Sequence, residues 1–67
     1  MDREKVNINE ADEPTLMRLD EVGRGLAERI VDYRTKEGRF SSIEDIKKVR
    51  GIGGKLFDKI KDDISVE

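Results

Sequence analysis

Val49-Arg50-Gly51-Ile52-Gly53-Gly54-Lys55 reads as a tight turn that opens directly into a helix. Its glycines, Gly51, Gly53 and Gly54, let the backbone take positive φ and bring N–H groups to an open surface. Leu56, Phe57 and Ile60 restart helical periodicity at once. The uncompensated amides of a first helical turn, the positive end of the helix dipole and the flanking Arg50 and Lys55 all favour a phosphate there. A glycine-rich helix start also serves simply to let two helices approach closely, and the turn alone does not choose between the two uses. A second copy of the turn, earlier in the chain, bears on that choice.

Shifting the chain by 30 residues superposes its halves: Leu16 falls on Ile46, Leu19 on Val49, Val22 on Ile52, Gly23 on Gly53, Leu26 on Leu56, Arg29 on Lys59 and Ile30 on Ile60. Two units of one pattern follow each other, at about residues 12–37 and 41–62, each a short helix, a hairpin and a longer helix. Neither buries its apolar face alone, so the two are expected to pack on each other about a pseudo-two-fold axis. The fold class is all-α, with four or five short helices.

Composition agrees with one small helical domain. At 67 residues, 34% hydrophobic and 45% charged, with Tyr33, Phe40 and Phe57 as its aromatics, the chain builds its core from aliphatic side chains. It contains no cysteine and no histidine, which removes disulfides, thiolate metal sites and the commonest general base. Ser41, Ser42 and Tyr33 therefore lack a partner for nucleophilic catalysis, Asp62 and Asp63 read as a solvated helix end rather than a metal site, and no catalytic or metal-binding residue is expected. No run of residues is apolar enough for a membrane span, and the N-terminus lacks the apolar core of a signal peptide. The net charge is −2, but residues 1–37 carry seven Lys and Arg against ten Asp and Glu, whereas residues 38–67 carry seven against six. A basic surface belongs to the second half.

In chain order, residues 1–5 read as a frayed end, and Val6 and Ile8 as an extended strip on the helices. Asp12 caps a first helix with Pro14 in its first turn, ending near Arg18 or Leu19. A longer helix runs from about Arg24 to Lys36 and stops at Gly38, after which Phe40 folds back onto the core. Ser41 with Glu44, or Ser42 with Asp45, forms a capping box for a short helix to Lys48. The last helix runs from about Gly54 to Lys61 or Asp62, and Ile64 and Val66 make a tail over the end of the core.

Four segments together carry a resemblance: Val6-Asn7-Ile8-Asn9 with Ala11; Tyr33-Arg34; Gly38-Arg39-Phe40 with Ser42-Ile43-Glu44-Asp45-Ile46; and Val49-Arg50-Gly51-Ile52-Gly53. In this order and spacing the chain resembles the tandem helix-hairpin-helix domain of the competence protein ComEA family over roughly residues 6–66. The resemblance implies a SAM-domain-like fold and binding of double-stranded DNA without sequence preference, in DNA uptake and outside the cytoplasm. Hairpin amides then contact phosphates. In some relatives a monovalent cation held by hairpin carbonyls shares the contact, here at residues 49–53; no other cofactor is implied. Carried over, the phosphate site is Arg50, Gly51, Ile52, Gly53, Gly54, Lys55 and Lys59, with Ile52 anchoring the turn and Lys55 and Lys59 reaching neighbouring phosphates from one helical face. Position 51 is expected to be exposed and to accept a charged side chain with little loss of fold.

The first hairpin departs from the pattern. Glu21 stands where the family prefers glycine, behind the acidic Asp20, and a carboxylate there repels phosphate. Glu21 is read as partly filling the anion seat of its own hairpin, which leaves Val22, Gly23, Arg24 and Arg29 as a weaker second site. The competing function is a structural or protein–protein module that keeps this fold without binding DNA, as tandem hairpins do in a photosystem II subunit and in a type II secretion pseudopilin. The net charge and Glu21 favour that alternative; the Gly51–Lys55 elbow with Lys47, Lys48 and Arg50 favours a monomeric DNA-binding domain.

Overall fold

The computed structural model describes residues 4–66, so of the expected frayed end residues 1–3 lie outside the described residues, while Glu4 and Lys5 are exposed and irregular. Asp12 caps α1 (Glu13–Leu16): its side chain accepts the Thr15 amide at 3.1 Å and Pro14 lies in the first turn. The α-helix ends at Leu16, earlier than the sequence suggested, because the chain tightens into three-residue turns in which the Arg18 amide donates to Thr15 and the Leu19 amide to Leu16. After the first hairpin, α2 (Arg24–Glu37) runs to Gly38, whose φ of 96° is a left-handed stop that glycine reaches without strain.

The second unit repeats these steps. Of the two expected capping boxes the Ser42–Asp45 pair forms: Ser42 caps the helix start while the Asp45 carboxylate accepts the Ser42 amide at 3.3 Å and the Ser41 amide at 3.1 Å. The helix it starts, Ile43–Lys48, is a 3-10 helix rather than an α-helix. It has six residues between the cap and Val49, where the hairpin begins, and bonds three residues apart close within that length. Helix α3 (Gly54–Ile60) follows, then a single 3-10 turn at Lys61–Asp63 where the sequence suggested the α-helix to continue.

The backbone repeats as the sequence does. The Leu19→Leu16, Val22→Leu19 and Ala27→Gly23 amide bonds recur as Val49→Ile46, Ile52→Val49 and Phe57→Gly53, all between 2.9 and 3.1 Å. Residues 21–30 and 51–60 bury the same positions in the same order. One core takes both contributions: Leu16, Ala27 and Ile30 from the first unit and Ile46, Phe57 and Ile60 from the second, with Val22 and Ile52 pinning each hairpin into it.

What the sequence reading lacked is a ladder between the chain ends. β1 (Val6–Asn7) and β2 (Ile64–Ser65) pair in parallel, Val6 opposite Ile64, and the Ile8 amide extends the pairing to the Ser65 carbonyl at 3.0 Å. Ile8 and Ile64 are buried beneath it, as an extended strip over the core requires. The strip is then bolted to the middle of the chain. Asn9 behaves like a strand neighbour of Phe40, accepting its amide at 2.7 Å and donating to its carbonyl at 3.0 Å. Arg34 donates to the Ile8 carbonyl at 2.9 Å, and Tyr33 stacks on Phe40 with ring centres 5.2 Å apart. Among the described residues the fold is thus mostly helical, with one two-stranded ladder joining residues 6–7 to residues 64–65.

Candidate functional site

The elbow from Arg50 to Lys55 lies at the surface with its one apolar residue turned inward. Gly51, Gly53, Gly54, Lys55 and Arg50 are exposed, while Ile52 is buried and its amide closes the turn on the Val49 carbonyl at 3.0 Å. Ile52 is therefore the anchor, and its amide is engaged inside the turn. The first helix-closing bond of α3 runs from the Phe57 amide to the Gly53 carbonyl, and no side chain caps the helix start. The amides of Gly54, Lys55 and Leu56 precede that bond and lack intrahelical acceptors. Gly53, the N-cap residue, has extended dihedrals (φ −103°, ψ −170°) that match those of Gly23 in the first hairpin (φ −92°, ψ −171°).

Gly51 is a different kind of glycine. Its φ is 99°, and a Cβ there would stand 2.7 Å from Leu26 Cδ2 and 2.8 Å from Arg29 Nη1. Position 51 is exposed, as expected, yet it does not accept a side chain without strain, so a charged residue there perturbs the fold along with the site. The positive φ alone strains a side chain there, and Leu26 and Arg29 crowd the same spot, Arg29 reaching across from the first unit to donate to the Arg50 carbonyl at 3.2 Å.

The long basic side chains have exchanged hairpins relative to the sequence reading. Arg29 attends the second hairpin, while Lys59 of α3 reaches the first and pairs with the Glu21 carboxylate. Lys59 thus shares the helical face of Lys55 but is held by Glu21, and Glu21 is engaged by Lys59 rather than filling the amide seat of its own hairpin. Helix geometry alone places residues four apart on one face; which unit that face meets depends on how the two units pack. The Glu21 carboxylate holds Lys59 protonated above its ordinary range. Arg24 pairs with Glu28 at 3.4 Å on the exposed side of α2, and Val22 and Gly23 hold the positions in the first hairpin that Ile52 and Gly53 hold in the second. Around the second hairpin, Lys47 lies over the Phe57 ring at 4.9 Å and Lys48 pairs with Asp45 at 3.5 Å. Glu21, Gly51, Gly53, Lys55, Asp58 and Lys59 border one open depression, which the first hairpin reaches through Glu21 and the second through Gly51 and Gly53.

The Asp45 cap holds the approach to this elbow, and its charge matters. Hydrogen bonding from the Ser41 amide, with help from Lys48, lowers the Asp45 pKa below the ordinary 3.8, and Thr15 lowers that of Asp12 in the same way. A carboxylate whose folded pKa lies below its unfolded value stabilises the fold above the unfolded value and loses that contribution as pH falls through the folded one. Thermal melts of the wild type and Asp45→Asn are therefore expected to differ at neutral pH, with the variant lower, and to converge in acid as the pH falls through the lowered folded value. A difference that persists in acid would mean that Asp45 acts through shape and not charge.

A family model described as the helix-hairpin-helix motif matches residues 2–65. The chain is 52% identical over 62 residues to ComE operon protein 1 of Bacillus subtilis, which covers 92% of this chain and 30% of that protein. It is 42% identical over 66 residues to endonuclease/exonuclease/phosphatase family domain-containing protein 1 of Danio rerio, covering 98% of this chain and 12% of that protein. An uncharacterised protein of Haemophilus influenzae is 39% identical over 62 residues, covering 91% of this chain and 55% of its own length. The chain thus spans less than two thirds of each of these relatives.

Proposed function

Because the chain belongs to the helix-hairpin-helix family, we propose that it binds double-stranded DNA without regard to sequence, as a binding module of the ComEA type used in DNA uptake. The contact is made to phosphates by the exposed amides of the second hairpin, flanked by Arg50 and Lys55. The observation that carries this reading is the open elbow of Gly51 to Lys55 at the uncapped start of α3, with Ile52 alone turned into the core. Backbone amides and lysines meet the sugar-phosphate rail, which is the same for every sequence. The residues around both hairpins are glycines, Lys, Arg and carboxylates in a chain without histidine or cysteine, which suits binding rather than catalysis.

The two units, at about residues 12–37 and 41–62, are related in this reading by a pseudo-two-fold axis. The support is reciprocal contact: residue 29 meets the hairpin at 50–51, and residue 59, its counterpart thirty positions on, meets the hairpin at 21. One copy of the chain suffices for the contact. A monovalent cation held at residues 49–53 would lie beside the Arg29 guanidinium, which already donates to the Arg50 carbonyl.

With about three to five phosphates neutralised, the logarithm of affinity should fall against log salt with a slope near −3 to −4. Lys55→Ala is expected to weaken binding to duplexes of different sequence by the same several-fold factor and to reduce that slope by about one, measured by fluorescence anisotropy across a salt series. A loss that depends on sequence would contradict backbone contact. Absence of binding by the wild type at low salt would instead favour the protein-interaction module.

A further inference from the structure

We propose that Glu21 sets how many strands of a duplex the domain grips: it withholds the first hairpin and Lys59 from phosphate and leaves one competent hairpin. The proposal rests on the DNA-binding reading above and deepens it. The first hairpin has the backbone of a phosphate seat, with Gly23 in the dihedrals of Gly53, an uncapped start to α2 and the same order of exposed residues. It differs at its flanks, where Asp20 and Gly25 stand in place of Arg50 and Lys55, and at Glu21, which adopts a left-handed φ of 61° where the second hairpin has glycine. That conformation is unfavourable for an L residue, yet it places the carboxylate on Lys59. Arriving phosphate must displace a carboxylate that is tethered beside the lysine, and the exposed Asp20 adds to the repulsion.

The consequence concerns the choice between duplex and single strand. Glu21 of the first hairpin borders the same depression as Gly51 and Gly53 of the second, and in this proposal two working hairpins would each take one backbone rail. With the first blocked by Glu21, the domain holds one rail, which a single strand also offers. The wild type should therefore discriminate weakly between the two, and removing the carboxylate should favour duplex.

The test measures binding of a short duplex and of one of its strands by the wild type, Glu21→Gln, Glu21→Gly, Lys59→Gln, Glu21→Gln with Lys59→Gln, and Glu44→Gln, which removes the same charge from an exposed position outside the hairpins. Glu21→Gln and Glu21→Gly are expected to raise duplex affinity roughly threefold to tenfold and single-strand affinity less than about twofold. Measured against Lys59→Gln alone, the gain from Glu21→Gln should shrink, and Glu44→Gln should change both ligands by less than about twofold. Equal gains for both ligands, a gain undiminished in the Lys59→Gln background, or one matched by Glu44→Gln would overturn the proposal. Wild-type binding with no response at position 21 overturns it alone; absence of binding by the wild type and by every variant overturns the DNA reading beneath it as well.

Discussion

Gly53→Asp is expected to keep the domain at least as stable as the wild type while lowering DNA affinity by about tenfold or more. Position 53 is the N-cap of α3, its φ is negative, and nothing lies within 4 Å of a Cβ built there. Aspartate is among the best N-cap residues and exceeds glycine by a few tenths of a kcal/mol, because its side chain accepts an amide of the first turn. That bond uses one of the donors assigned to phosphate and sets a carboxylate in the seat. Stability and binding should therefore move in opposite directions, as read by a thermal melt and an anisotropy titration on the same sample. If Gly53→Asp binds DNA as the wild type does, the second hairpin is not the contact. Gly51 cannot provide this separation: its φ of 99° and the nearness of Leu26 and Arg29 make any side chain there a test of the fold as well.

This contrast shows which features local sequence carries. The thirty-residue repeat, the Asp12 cap, the Gly38 stop and the inward turn of Ile52 depend on neighbours within a few residues, and each was legible in spacing and residue type. The charge conflict at Glu21 was legible too, but its partner was not. Lys59 lies on the other unit, and only packing decides that it meets the first hairpin while Arg29 meets the second. Gly51 was misjudged in part for a related reason: its exposure and positive φ follow from the turn, whereas the close approach of Leu26 and Arg29 follows from the unit across the core.

The same distinction explains the segments that carried the family resemblance. Asn9, Arg34 and Phe40 lie far apart in sequence and no periodicity links them, yet the structure joins them by the Asn9 bonds to Phe40 and the Arg34 bond to Ile8. Their joint presence is explained by one task, holding the N-terminal strip against the core. The Val6–Ile64 pairing belongs with them. Two residues per strand are too few for alternation to announce a ladder, so the pairing appears only when both chain ends are placed.

Ile60→Ala tests whether the two units share one fate. Ile60 is fully buried, as is its counterpart Ile30, and both belong to a single core cluster. Removing so much buried side chain costs about 2–5 kcal/mol, in transfer energy and in the cavity left behind. A domain of this size has a total stability of roughly 3–10 kcal/mol, so the melting temperature should fall by roughly 10 to 30 °C, or the chain should fail to fold at all. Hydrogen exchange carries the sharper outcome. With one core, the amides of α2 in the first unit should lose protection together with those of α3, although the substitution lies wholly in the second unit. Retention of protected helix at Arg24–Glu37 while Gly54–Ile60 opens would mean that the first unit stands alone, and the contacts of Arg29 and Lys59 across the units would then no longer position either hairpin.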